Sequence, residues 1–400
     1  MSKTAFYDAI PVMEHISKHG FEAYFVGGAV RDYYLQRDIH DIDIATSATP
    51  DEIEAIFEHT IPVGKEHGTI NVVFEGNNYE ITTFRTEGDY DDHRRPNDVQ
   101  FVRSLYEDVA RRDFTINAMA MDTSFKLYDY FEGRHDLTAG LIRTVGDPNL
   151  RFAEDALRII RGLRFQSQLN FEIDLNTLEA MRNAASDIAY LSIERIITEL
   201  DKLLKGSGIE KAFSAIQSIN LLAHVPYFNQ YQWQTLSLSE PLTLAQFLAL
   251  LYLLEGKKAH IKTLKLSNQT LKEADALYSA VSELQSIQSK RDLQIWLYDY
   301  GITLAQTILD LRPLFQNHGI MLPSSLFFNA TSVHSLYEQL PIRSRKEIPI
   351  DGKVLMEVLQ QPSGPWLKQA LRKIECAVIT QETLNTQSDI IEWVKLNVEV

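Results

Sequence analysis

Two short runs decide how this chain reads, GGAVRD at residues 27–32 and DIDIAT at 41–46. DIDIAT has the β-branched, apolar composition of a buried strand, yet it carries Asp41 and Asp43. Alternate residues of an extended chain share a face, so the two carboxylates project together while Ile42 and Ile44 turn to the core. Carboxylates placed this way repel unless a proton or a cation lies between them. Oxygen-only ligands at this spacing suit Mg²⁺, which takes one or two carboxylates and leaves other positions to water and phosphate. A sheet rim with two solvated aspartates would have the same sequence, so the pair alone leaves both readings open. GGAVRD follows the strand-like FEAYFV (21–26) and opens a helix, AVRDYYLQ. At such a junction backbone amides can close on an anion, and the helix terminus adds a favourable field. Arg31, on the first turn, is in reach of a phosphate. A plain tight turn also uses a glycine pair, and neither the dinucleotide fingerprint nor a P-loop is present. Phosphate and metal ligands only a few residues apart point to phosphoryl or nucleotidyl transfer.

The surroundings give the architecture. Thr49, Pro50 and Glu52 spell a capping box with proline at the first helical position. TINVVFE (69–75) and YEITTF (79–84) flank Gly76-Asn77-Asn78, a hairpin turn. Glu80 becomes a third carboxylate if its strand lies beside DIDIAT. Strands joined partly by hairpins and partly by helices predict a mixed sheet. From about residue 149 the strand signals fade. RFAEDALRIIRGLRFQSQL, LNTLEAMRNAASDI and SIERIITELDKLLKG have helical spacing, as does most of the remainder. The expected fold is α+β: a mixed-sheet head over 1–148, a helical neck over 149–206, and a helical body and tail over 207–400.

With 400 residues, 45% of them apolar, the chain can bury two to four cores. A single cysteine, Cys376, excludes an internal disulfide and a cysteine-based zinc site. The opening MSKTAFYDAIPVMEHISKHG lacks a signal-peptide apolar core, and no stretch nears the roughly 18–20 apolar residues of a spanning helix. A cytoplasmic protein without a membrane partner is expected. The formal net charge of −15 argues against nonspecific nucleic-acid binding but leaves room for a local basic groove.

Basic residues do cluster. Residues 85–112 hold six arginines and no lysine, interleaved with seven acids. Arginine without lysine favours planar, bidentate contacts. Within this span EGDYDDHRRPND (87–98) reads as a mobile loop over the site. RRDFTINAMAMD places Arg111, Arg112 and Asp113 ahead of an apolar run, as either a charged helix start or a ligand contact. In EDALRIIRGLRF, Asp155 and Arg158 are three apart, neighbours on one helix face. Arg161 and Arg164 continue in threes, each step slipping about 60° around the helix, so Asp155 and Arg164 point in nearly opposite directions. The first pair is assigned a shared role and the later arginines phosphate, ribose or domain contacts. An amphipathic helix with an internal ion pair, burying Ala156, Ile160 and Leu163, fits the same pattern. GKKAHIKTLK (256–265) gathers Lys257, Lys258, Lys262 and Lys265, as a phosphate contact or a solvated face.

In order and spacing, GGAVRDYYL with DIDIAT, RRDFTINAMAMD and EDALRIIRGLRF resemble the class II tRNA nucleotidyltransferases, the CCA-adding enzymes of the DNA polymerase β superfamily. The Bacillus-type branch is most similar, and the resemblance spans essentially the whole chain, including IDGKVLMEV, GPWLKQALRKIE and LNTQSDIIEWV. It implies that Asp41 and Asp43 are catalytic and carry Mg²⁺, and that Gly28 and Arg31 hold the triphosphate. It further implies that Arg112 contacts the nucleotide and that Asp155, Arg158, Arg161 and Arg164 form its binding helix. The implied activity is template-independent addition of C, C and A to tRNA 3′ ends from CTP and ATP, including repair of incomplete ends, by a homodimer. Related A-adding, CC-adding and poly(A) polymerases share much of this motif set. A non-catalytic RNA binder of the same fold would have no need of the metal ligands. LYDYFEGRHDL (127–137) departs from the family form, with Tyr130 in place of a proline and Glu132-Gly133 in place of a glycine pair. The hinge-like role of that motif is therefore in question.

Overall fold

The computed structural model describes residues 4–39, 41–87, 99–258 and 262–398. Apart from Glu87, the EGDYDDHRRPND loop lies outside the described residues. Internal contacts divide the chain into two units, Met1–Thr243 with Ile261–Leu266, and Leu244–His260 with Ser267–Val400.

The first unit begins with α1 (Thr4–Lys18), β1 (Ala23–Val26), α2 (Gly28–Tyr34), β2 (Asp43–Thr46) and α3 (Pro50–Ile56). The capping box on α3 is formed as its sequence predicts: Thr49 accepts from the Glu52 amide and Glu52 accepts from that of Thr49. Then come β3 (Thr60–Ile61), β4 (Thr69–Phe74), β5 (Asn77–Thr83), β6 (Arg85–Glu87) and β7 (Val99–Phe101). After α4 (Leu105–Ala110) follow β8 (Met119–Met121), β9 (Leu127–Asp129), α5 (Gly133–Ala139) and β10 (Leu141–Ile142). Seven strands make one sheet in the order β3-β4-β5-β2-β1-β8-β9. It is mixed, because β2 and β5 run parallel while β1 is antiparallel to both β2 and β8.

Two local expectations are corrected. Only Asp43–Thr46 of DIDIAT is paired as a strand. Opposite Asp43 β1 ends at Val26, and the chain turns at Gly27 into α2, so Asp41 has no ladder partner on that side. The hairpin turn is Glu75-Gly76, not Gly76-Asn77-Asn78, because Phe74 pairs directly with Asn77. Both turn residues have positive φ, the two-residue geometry that matches strand twist.

The sheet is buried on both faces at its centre. Phe6 of α1 meets Phe25 of β1 edge-on at 4.7 Å. On the other face Val26, Ala45 and Ala120 pack with Leu105 and Val109 of α4 and with Phe84. That packing fixes the strand ends, where the polar residues gather.

β6 and β7 form a separate antiparallel pair, and after β10 the described residues of this unit are helical apart from the two-residue strand β11 (Glu172–Ile173, parallel to β10). They include α6 (Pro148–Glu154), α7 (Leu157–Leu169), α8 (Leu175–Asn183), α9 (Ile193–Leu204) and α10 (Ile209–Ser218). Helix α7 packs very close. A Cβ at Gly162 would lie 2.4 Å from Met181 and 2.8 Å from the Phe114 ring. The Met181 methyl could move aside, but a side chain here would press on the rigid Phe114 ring, so glycine favours the approach that sets α7 beside the chain leaving Asp113.

The second unit holds α11 (Leu244–Glu255), α12 (Asn268–Leu284), α13 (Lys290–Asp310, interrupted at Gly301), α14 (Arg312–Asn317), α15 (Ala330–Glu338), α16 (Gly352–Leu359), α17 (Trp366–Ile379) and α18 (Gln387–Asn397). Helix α11 is apolar nearly all round and correspondingly buried, the pattern of a core helix. Among the described residues no helix is long and apolar enough to cross a membrane.

Candidate active site

Asp43, Glu80 and Asn71 stand side by side in register across β2, β5 and β4. The strand of Glu80 therefore does lie beside that of Asp43. Asp43 and Glu80 open onto a cleft of about 600 Å³ that also receives Gly27, Gly28 and Arg31 from the β1–α2 junction. Gly27 sits at φ 68°, ψ −134°, and a Cβ there would come within 3.3 Å of Arg112 and 3.7 Å of Asp43. A side chain at this position would meet both strain and the site's own charged groups.

The protein around Asp43 raises its pKa by desolvation, with Asp41 adding to the rise and Arg112 opposing it. Glu80 is raised likewise, by desolvation and then by Asp43 and Asp41. Asp41 is exposed and precedes the strand, yet its charge is felt by both neighbours. Among the described residues no three potential ligands already converge on a metal-sized point. An all-oxygen set in which Asp43 and Glu80 are both raised by burial and by neighbouring carboxylate charge is nonetheless chemically suited to a hard divalent cation.

Arginines line the same cleft. Asp108, buried at the end of α4, holds Arg111 at 2.8 Å and Arg112 at 3.2 Å. Burial would raise its pKa, but Arg112 and Arg111 outweigh that and hold it below the usual carboxylate range. Arg111 and Arg112 thus follow a helix rather than starting one. The Arg112 Nε is buried without a hydrogen-bond partner. Arg31 is clamped by Asp32 at 3.0 and 2.9 Å and by the Asn117 side-chain carbonyl at 2.8 Å.

Asp113 accepts from Arg161 at 2.7 Å and from the Phe114 amide at 2.8 Å. Burial alone would raise its pKa, yet Arg161 and these hydrogen bonds bring it down to about 2. A depressed carboxylate contributes stability that is present above its unfolded pKa and lost as pH falls through the folded one. Asp113→Ala is therefore expected to cost about 2–3 kcal/mol at pH 7, less than a fully buried pair because Arg161 is partly exposed. Urea denaturation should show the difference from the parent shrinking between pH 4 and pH 2.

The motif EDALRIIRGLRF is not one helix. Helix α6 stops at Glu154, Asp155 has extended backbone angles (φ −142°, ψ 105°), and α7 starts at Leu157. Asp155 therefore does not share a helix face with Arg158. Its carboxylate caps the break, accepting from the Leu157 amide at 2.9 Å and from Arg195 of α9 at 2.8 Å. Arg158, nearly buried, pairs instead with Glu154. The break also alters the expected divergence of directions. Asp155, Arg158, Arg161 and Arg164 all line the one cleft. Arg164 lies 3.2 Å from Glu199 without hydrogen-bond alignment, and burial lowers its pKa. Ala156, Ile160 and Leu163 are buried as expected.

Sequence reasoning missed Arg195, Asn117 and Phe165. Arg195 lies in SIERII, read only as a helix start, and its Nη1 is buried without a partner at the cleft. No local signal could pair it with a residue forty positions earlier. Of the lysine cluster, Lys258 is 3.6 Å from Asp275 and Lys265 is 2.5 Å from Glu194. Glu132, where the related motif has glycine, adopts φ 62°, ψ 28° and pairs with Arg143 at 3.1 Å. A left-handed conformation costs a non-glycine residue about 1–2 kcal/mol.

Comparison with known proteins agrees with this geometry. The poly A polymerase head domain matches residues 23–143, a probable RNA and SrmB-binding site of polymerase A matches 170–232, and a putative tRNA nucleotidyltransferase domain 2 matches 242–394. Carboxylates on a mixed sheet sharing a cleft with several arginines, under a head-domain match of this kind, define a nucleotidyltransferase. The CCA-adding enzyme of Staphylococcus epidermidis is 50% identical over the full length of both chains. The Bacillus stearothermophilus CCA-adding enzyme in complex with CTP superposes with a TM-score of 0.82 at 34% identity, covering 98% of each chain. This chain belongs to the CCA-adding enzyme family. A Thermotoga maritima CCA-adding enzyme complexed with tRNA_CCA shares the fold, with a TM-score of 0.59 at 19% identity over 98% of this chain and 95% of its own.

Proposed function

We propose that this chain adds C, C and A to tRNA 3′ ends from CTP and ATP, releasing pyrophosphate, and restores incomplete ends. The carrying observation is one cleft lined both by the Asp43–Glu80 row and by Asp155 and Arg158. Asp41 and Asp43 would hold Mg²⁺, with Glu80 beside them. When bound, that ion lowers the pKa of the attacking hydroxyl and offsets charge on the transferred phosphate. The chain's own groups do the rest. The Gly27–Gly28 turn brings backbone close to the phosphates, and Arg31 and Arg112 supply fixed positive charge that needs no reorganisation during transfer.

Nucleotide choice falls to the break between α6 and α7. Cytosine N4 and adenine N6 are both amino donors that Asp155 can accept, while Arg158 donates to the adjacent ring nitrogen. Uracil and guanine present a carbonyl and an N–H at those positions and would leave both partners unpaired. Arg161 and Arg164 serve the phosphates. The head over 1–148 carries the chemistry and the neck over 149–206 the nucleotide. The body and tail over 207–400, with Lys257, Lys258, Lys262 and Lys265, hold duplex RNA through its shape and backbone. A cytoplasmic homodimer fits this reading.

The test offers tRNA transcripts lacking the last three nucleotides, with Mg²⁺ and each nucleotide triphosphate, and sequences the products. Two Cs followed by one A is the expected result. A long run of As would overturn it, a stop after two Cs would mark a CC-adding enzyme, and no incorporation would mark an RNA binder.

A further inference from the structure

We infer that Phe165 is a positioning residue whose ring holds three cleft arginines together as a grip for the polyphosphate of the incoming nucleotide. This rests on the nucleotidyl-transfer reading above. Phe165 lies on α7, 4% exposed, with its ring edge-on to Phe114 at 5.8 Å between centroids. The guanidinium carbons of Arg164, Arg31 and Arg161 stand 4.3, 5.3 and 5.7 Å from its centroid.

These arginines come from α2 and α7, elements far apart in the chain, and each has its own carboxylate: Asp32, Glu199 and Asp113. Such pairing explains how each charge is tolerated, but not why three cations converge on one ring. An aliphatic residue would fill the space next to Phe114 without attracting them. The aromatic face does attract them, and does so more strongly when water is excluded. A hydrogen-bonded chain closes the assembly from the side. Arg31 donates to Asn117 at 2.8 Å, Asn117 donates to Asp113 at 3.4 Å, and Asp113 holds Arg161. The glycine turn and Phe165 line the same cleft. A ligand with several adjacent negative charges is what such a cluster matches, and the base, read at Asp155 and Arg158, is not.

The probe is inorganic tripolyphosphate, titrated calorimetrically into the full chain without RNA, alongside steady-state kinetics with CTP and ATP. F165M keeps volume and apolarity but removes the ring. It should weaken tripolyphosphate binding and raise KM for CTP and ATP alike, by about five- to thirty-fold, with kcat within about threefold. Rejection of UTP and GTP should not change. F165Y, which keeps the aromatic face, should recover most of the affinity, and melting curves identify any variant that fails to fold. Tripolyphosphate binding by F165M equal to the parent's would overturn the inference, as would an equal loss in F165Y, which would make the effect one of shape. If the parent adds no nucleotide, the transfer reading fails, while the RNA-free titration still decides the role of the ring.

Discussion

Asp43→Asn is expected to reduce nucleotide incorporation by at least about 10³-fold, the several kcal/mol of transition-state charge stabilisation that a metal-binding carboxylate supports. The same substitution should raise the melting temperature of the metal-free protein. Desolvation, with Asp41 adding to it, raises the Asp43 pKa in the folded state, and Glu80 is raised beside it. The sign follows from linkage. A group whose folded pKa is raised contributes stability below its unfolded pKa and loses it as pH rises through the folded one. At neutral pH the parent therefore carries the cost of crowded carboxylates, and the asparagine removes part of it. Divalent cation should stabilise the parent and not the variant, because ligand binding to the native state alone shifts the melting temperature. Differential scanning fluorimetry with and without Mg²⁺, beside a primer-extension assay on tRNA, reads both effects. Loss of tRNA binding, or a fall in metal-free melting temperature, would make the carboxylate structural.

Asp155→Ala is expected to lower rejection of UTP and GTP relative to CTP and ATP from about 10⁴-fold to about 10²-fold, while metal affinity stays near the parent value. The structure ties this residue down more firmly than a helix position would. One oxygen caps the start of α7 and the other takes Arg195. A carboxylate has about four lone-pair sites, so acceptors remain for an amino group. Two hydrogen bonds then fix the direction in which they point. Arg195→Met, which frees the carboxylate without deleting it, should give a smaller loss of discrimination in the same direction. Single-nucleotide incorporation with each of the four triphosphates measures both. Unchanged rejection in Asp155→Ala would contradict the pairing scheme.

The legible parts of this protein are those where chemistry is local. The capping box at Thr49, the glycine junction before α2, the strand at Asp43 and the buried stripe of Ala156, Ile160 and Leu163 each follow from a few neighbouring residues. Glu80 was a conditional third carboxylate, and the parallel β2–β5 pairing met the condition. Where reasoning from spacing went astray, a non-local partner had intervened. DIDIAT stops being a strand at Asp43 because β1 turns away there. EDALRIIRGLRF looks like one helix by periodicity, and Arg195 and the Leu157 amide bond the residue at its break.

Residue types and their order alone determined the reaction class, since carboxylates, a glycine turn and arginines at family spacing are all present in the chain itself. Tertiary structure alone decided which arginine meets which acid across distant elements. Asp108 with Arg111 and Arg112, and Glu154 with Arg158, are three or four residues apart, but the sequence also offers Asp113, Asp155 and Glu199 to Arg161, Arg164 and Arg195, and many pairings satisfy charge. Close packing at Gly162 and the break at Asp155 select one of them. A buried charge accepts only the partner that the backbone brings within hydrogen-bond reach, and that distance is set by packing between elements distant in the chain.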